Sequence, residues 1–120
     1  MIRVPEIVFG LARDPYDFYL WVAINMISER DGGECVVSSK YLSEFTGIST
    51  GKISESRKYL LEVNLLTGSI YQDEHDFQPI WHLSIPDLSE RNQEWILKCR
   101  NDIDHIPHFR KYSGADLRGK

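Results

Sequence analysis

Apolar side chains crowd one stretch of this chain: Phe18, Tyr19, Leu20, Trp21, Val22, Ile24, Met26 and Ile27. Placed on a helical repeat they cover most faces, which predicts a helix either central to the core or half covered by a partner subunit. Asp14 and Pro15 supply an N-cap and a first helical residue. Arg30-Asp31-Gly32-Gly33 supplies a stop, so this helix is expected to run to about residue 29. Ahead of it, Glu6-Ile7-Val8-Phe9 reads as a short strand. Behind it, Glu34-Cys35-Val36-Val37 reads as a single isolated strand.

Ser38 and Ser39 then look like caps for a short helix over residues 40–45, closed by Thr46-Gly47 with Gly47 in a left-handed turn. Ser49 is the expected N-cap of a third helix that runs through Thr50 to about residue 63. Asn64 is suited to a left-handed C-cap. From Leu65 the period changes to two. Residues 65–72 read as a strand, 73–78 as a polar loop, and 79–85 as a returning strand in which Trp81, Leu83 and Ile85 alternate with His82 and Ser84. Pro86-Asp87 opens a last helix, with Asp87 and Glu90 spaced as a capping box. Leu88, Trp95, Cys99 and Ile103 recur on the face expected to meet the core. The fold class expected is mainly α with a small antiparallel β-hairpin. The domain is expected to span residues 1–104, and the basic, turn-rich residues 105–120 read as a flexible tail or linker.

A length of 120 residues fits one domain, and the hydrophobic fraction of 42% with 27% charged residues belongs to a soluble globular protein. The chain has no apolar run of membrane-spanning length, and its first residues lack the regions of a signal peptide. Cys35 and Cys99 read as reduced small hydrophobes, so the expected compartment is the cytoplasm. The net charge of -4 argues against indiscriminate nucleic-acid binding, which rests on many phosphate contacts, and leaves room for a locally basic face.

Three helices followed by a β-hairpin is the winged helix-turn-helix order, and the resemblance becomes specific in the middle of the chain. Leu42, Gly47, Ile48, Ser49, Ile53, Leu60 and Leu66 fall where that pattern places apolar, turn and capping residues. Ser43 and Ser56 stand where small residues let helices approach. The segment is similar to prokaryotic transcription regulators and to N-terminal domains of phage and plasmid replication proteins, including the DnaD-like group. Trp81-His82-Leu83-Ser84-Ile85-Pro86 looks like the replication type. The resemblance covers about residues 14–100. Arg57 departs from it by standing where Leu is usual, with its stem expected to pack and its head to stay free. Asn64 replaces a Gly. The loop Asp73-Glu74-His75-Asp76 is acidic, so it is not expected to press on phosphate.

The resemblance implies binding of double-stranded DNA, with the third helix in the major groove and its N-terminal residues nearest the bases. Ser49 and Thr50 sit where backbone N–H groups can hold a phosphate. With Ile53 and Leu60 inward, Gly51, Lys52, Ser54, Glu55, Lys58 and Tyr59 are placed outward or on the flanks. Lys52 and Lys58 suit phosphate or guanine, and Glu55 suits cytosine. Ser39 and Lys40 suit clamping of the backbone. The expected role is replication or transcription regulation in the cytoplasm, associated with the nucleoid, as a homodimer through the first helix. The rival is a protein–protein adaptor that recruits replication or transcription proteins. No catalytic constellation stands out, so no enzyme activity and no cofactor are expected. Cys99, Asp102, Asp104, His105 and His108 match no zinc spacing. Thr50-Gly51-Lys52 lacks the earlier glycines and strand of a phosphate loop.

Overall fold

A computed structural model describes residues 3–71 and 79–101. Its elements are α1 (Glu6–Leu11), α2 (Pro15–Arg30), β1 (Cys35–Ser38), α3 (Ser39–Thr46), α4 (Thr50–Glu62), β2 (Thr67–Tyr71), β3 (Ile80–Ser84) and α5 (Ser89–Asn101). The architecture is mainly helical with a small three-stranded antiparallel sheet in the order β1-β3-β2.

The first element differs from the expected strand. Glu6-Ile7-Val8-Phe9 opens a helix, because tertiary contacts override a β-leaning tetrapeptide. Pro5 takes extended backbone at the N-cap. The Ile7 N–H, free at the start of the helix, donates to Asn92 Oδ1 at 2.7 Å. Ile7 and Val8 enter the core. Gly10 meets the Trp95 ring so closely that a methyl group there would overlap it. As a result α5 rests on α1, with Leu88 buried and Trp95 half-buried at the margin of the core. Ile103, expected on the same face, lies outside the described residues.

The start of α2 follows its sequence signals. Asp14 Oδ1 accepts from the N–H groups of Tyr16 and Asp17, both at 3.0 Å. One turn on, the buried carboxylate of Asp17 reaches back to Arg13. It accepts from the Arg13 Nε at 2.8 Å, from Nη2 at 3.1 Å and from its backbone N–H at 3.0 Å. The Arg13 guanidinium also lies over the Tyr59 ring, 4.0 Å from its centre, and the Tyr59 hydroxyl donates to the Leu11 carbonyl. These contacts lock the α1–α2 corner onto α4.

α2 is central to the core, one of the two arrangements its apolar content left open. Leu20, Trp21, Ile24 and Ile27 are buried in one cluster with Leu42, Ile53, Leu60, Leu65, Leu66 and Leu83. Each such side chain contributes about 1.5–3 kcal/mol on burial. Tyr16, Tyr19 and Met26 remain exposed. Gly47 (φ 79°) ends α3 in the left-handed conformation. Asn64 (φ 59°) turns the chain after α4 in the same region. That second turn is held from two sides. The Trp21 indole donates to the Leu65 carbonyl at 2.9 Å. Arg91 of α5 donates to the carbonyls of Asn64 and Val63 at 2.7 and 2.9 Å.

The segment read as an isolated strand joins the sheet. β1 pairs with β3 in the register Cys35↔Leu83, and β2 pairs with the other edge of β3 in the register Gly68↔Leu83. Leu83 and Cys35 are fully buried, and burial pushes the Cys35 thiol up to about 11, so it packs as a neutral hydrophobe. Asp87 serves one step earlier than a capping box requires. Its Oδ1 accepts from the Ser89 N–H and hydroxyl, while the Leu88 carbonyl takes the first helical bond, from Asn92. Among the described residues no helix is long and apolar enough to cross a membrane.

Two measurements check this packing. Gly10→Ala should destabilise the wild-type protein by about 1–3 kcal/mol through overpacking. In a Trp95→Ala background the same change should be neutral or stabilising, because Ala is the better helix former; thermal unfolding of the four proteins reads the difference. Burial pushes the Asp17 carboxyl up, but the Arg13 bonds outweigh it and hold the pKa below the ordinary carboxylate value. A depressed folded-state pKa gives stability that is present above the unfolded value of about 3.9 and is lost as pH falls through the folded one. Asp17→Asn should therefore cost about 1–2 kcal/mol at neutral pH, a value moderated by the partly exposed Arg13. The gap to wild type should stay constant down to about pH 5 and shrink below about pH 4. A gap independent of pH to the acid limit would remove the ion pair as its cause.

Candidate nucleic-acid interface

Two short helices joined at Gly47 carry the predicted site. Ser38 caps α3, its Oγ accepting from the Tyr41 N–H at 3.1 Å. Ser49 caps α4, its Oγ accepting from the Lys52 N–H at 3.3 Å. The turn between them is bonded internally: the Ser43 hydroxyl donates to the Ile48 carbonyl at 2.6 Å and the Ile48 N–H donates to Thr46 Oγ1 at 3.1 Å. Ile53 and Leu60 are fully buried, with Ser56 buried between them. That fixes the roll of α4.

Gly51, Ser54, Glu55 and Lys58 consequently share the exposed face of α4, with Glu62 one turn further along. Ser49 and Thr50 are exposed at its N-terminal end, and Lys40 is exposed on the first turn of α3. Seven of the ten predicted residues thus reach solvent on the α3–α4 surface.

Three do not stand free. Lys52 is half-buried and drawn back toward α2. Its Nζ lies 3.0 Å from Asp14 Oδ2 and 3.6 Å from Glu55 Oε1. The bond from Asp14 raises the ammonium's pKa above its ordinary value, so the charge is fixed and largely answered within the chain. Asp14 thereby serves two helices, capping α2 with one oxygen and holding Lys52 of α4 with the other. Tyr59 faces away from the exposed surface, toward Leu11 and Arg13, where burial raises its pKa. Ser39 is the first residue of α3 rather than its cap, and its Oγ accepts from Arg57 at 2.8 Å.

Arg57 corrects the expectation of a free head. The whole residue is only 5% exposed. Its guanidinium sits 4.3 Å from the centre of the Trp81 ring on β3 and donates to Ser39 Oγ and, at 3.4 Å, to Ser54 Oγ. Burial lowers its pKa from the ordinary value. Sequence reasoning passed over it because an arginine in an apolar row is usually a snorkelling side chain. The available signal was the register. Ile53, Arg57 and Leu60 lie on one inward stripe, so the head had to be buried unless the stem bent away.

A groove of about 490 Å³ runs beside this arginine, lined by Ser54, Arg57, Lys58, Leu61, Glu62 and Trp81. Among the described residues no group of three or more His, Cys, Asp or Glu could hold a metal ion. Asp102, Asp104, His105 and His108, the acidic loop at 73–76 and the basic tail lie outside the described residues. Chemically, the surface offers hydroxyls, the exposed Lys40 and Lys58, which are in no ion pair among the described residues, a backbone exposed at Gly51, and a buried guanidinium beside a groove. No protein-family model, no curated protein and no solved structure matches the chain.

Proposed function

We propose that this chain is a winged helix-turn-helix domain that binds double-stranded DNA, with α4 entering the major groove. One observation carries the reading: α3, the Gly47 turn and α4 are followed by β2 and β3, with β1 closing the sheet against β3. That arrangement is compatible with a winged helix and supports the reading. It leaves Gly51, Ser54, Glu55 and Lys58 outward on the second helix of the motif, the helix that meets bases in this docking mode. Ser49, Thr50, Ser39 and Lys40 stand where backbone phosphates would pass. The role is that of a replication or transcription-regulatory protein at the nucleoid, without enzyme activity. A homodimer forms through the exposed Tyr16, Tyr19 and Met26 of α2.

A second reading is a protein-recruiting adaptor of the replication or transcription machinery. It is favoured by the charge of the same face, where Glu55 and Glu62 flank Lys58 and Lys52 is already paired. Salt dependence separates the two, since only phosphate neutralisation makes affinity fall steeply with ionic strength.

The test is binding of the purified protein to a pool of random duplexes at two salt concentrations, with sequencing of what is retained. Enrichment of a short motif that weakens with salt supports DNA reading, whereas no binding at low salt moves the domain to the adaptor class. Lys58→Ala should lower affinity on the order of tenfold with little change in unfolding temperature. Lys52→Ala should do less, because Asp14 already holds that ammonium. Equal affinity of both variants and wild type would place the DNA on another face. For the dimer, sedimentation at micromolar concentration should give twice the chain mass, and Tyr19→Glu with Met26→Glu should return it to the monomer; a monomeric wild type would remove the dimer.

A further inference from the structure

Arg57 is a buried side chain with no opposite charge against it: among the described residues no carboxylate lies within ion-pair distance of it. Two serine hydroxyls and the face of Trp81 are its partners. A guanidinium has more N–H donors than two hydroxyls take up. Cation–π contact with Trp81 offsets only part of the cost of leaving a charge uncompensated in the interior. A leucine would fill the same inward position of α4 without that penalty. The charge sits beside a groove open to solvent between α4 and β3, not in a closed core.

We infer that Arg57, positioned by Ser39 and joined by Ser54 and Lys58, seats one phosphate of the nucleic-acid backbone in the groove between α4 and Trp81. The inference rests on the DNA-binding reading and names a contact of that same surface. The partners have the right chemistry. The hydroxyls of Ser39 and Ser54 accept from the guanidinium, which leaves the O–H of Ser54, in the groove's lining, to donate to a phosphate oxygen. Lys58 lines the groove one turn along α4 from Ser54 and adds a mobile second cation. Glu62 lines the same groove two turns beyond Ser54, roughly 12 Å along the helix axis. Its carboxylate repels a phosphate there and confines the seat to the Ser54 end. The rest of the lining, Leu61 and Trp81, is apolar and keeps the effective dielectric low around the charge.

The experiment is fluorescence anisotropy of a labelled duplex with wild type, Arg57→Gln and Arg57→Lys, from about 50 to 200 mM salt. Arg57→Gln should bind about tenfold or more weakly at the low-salt end, with a log–log salt slope shallower by about 0.9. Arg57→Lys should keep the wild-type slope. An unchanged slope in Arg57→Gln overturns the phosphate seat while the DNA-binding reading stands. No duplex binding by the wild type at low salt overturns both. Should Arg57→Gln fail to fold, the wild-type protein gives an independent readout in the NMR resonance of the Arg57 Nε–Hε group. It should shift on saturation with duplex, and an unmoved resonance overturns the proposal. The same shift produced by millimolar inorganic phosphate, with none from duplex, assigns the site to a small anion and overturns the nucleic-acid seat.

Discussion

Leu20, Ile24 and Ile27 of α2 are buried in one cluster with Ile53 and Leu60 of α4, and this contact decides what α4 presents to solvent. A helix has one roll about its axis. Once Ile53 and Leu60 face inward, Arg57 follows them on the same buried stripe while Ser54 and Lys58 face out. The contact is pinned at both ends by polar bonds. Asp14 holds Lys52 near the N-terminal ends of the two helices, and Trp21 holds the Leu65 carbonyl just past the end of α4. Sliding or rotating α4 would break both bonds and expose apolar area. The outward face is therefore pre-positioned, which is what the proposed docking into a rigid groove requires.

The periphery depends on the same contact at one remove. The carbonyls at the end of α4 are taken up by Arg91 of α5. α5 itself is set by α1 through Asn92 and the fit of Trp95 against Gly10. A short N-terminal helix thus communicates with the far end of α4 through one intermediate helix. This explains why a β-leaning tetrapeptide persists in a helix: the Ile7 N–H finds an acceptor in Asn92, and Ile7 and Val8 are buried.

Much of the fold was legible because its signals are local. Asp14-Pro15, Ser49, Gly47 and Asn64 each mark a boundary by a property of one or two residues, and each stands where it was expected. What was not legible depends on residues distant in sequence. The helical state of Glu6 to Leu11 rests on α5, more than eighty positions away. The pairing of Cys35 with Leu83 recruits β1 to the sheet across nearly half the chain. Within the candidate site, helical periodicity placed the exposed residues of α4. It could not foresee that Lys52 meets a carboxylate 38 positions earlier, or that Tyr59 turns toward Leu11. Arg13 and Asp17 are different: their i,i+4 spacing was a local signal that pattern reading passed over.

The two cations on α4 that sequence reading treated as unlike in importance are unlike in the opposite sense. Lys52, expected to contact DNA, is half-buried and answered by Asp14. Arg57, expected to be a packing residue, is buried and answered by no carboxylate among the described residues. An anion approaching Lys52 must compete with a partner already in place, so little is gained beyond exchanging one pair for another. An anion reaching Arg57 neutralises a charge whose desolvation has already been met in folding, so nearly all of its attraction is available to binding. For a chain of net charge -4, whose long-range field repels nucleic acid, that distinction matters. Under the DNA-binding proposal, affinity would rest not on a broad basic surface but on a few positive groups left uncompensated and held in place, which among the described residues of the α3–α4 surface are Lys40, Lys58 and Arg57.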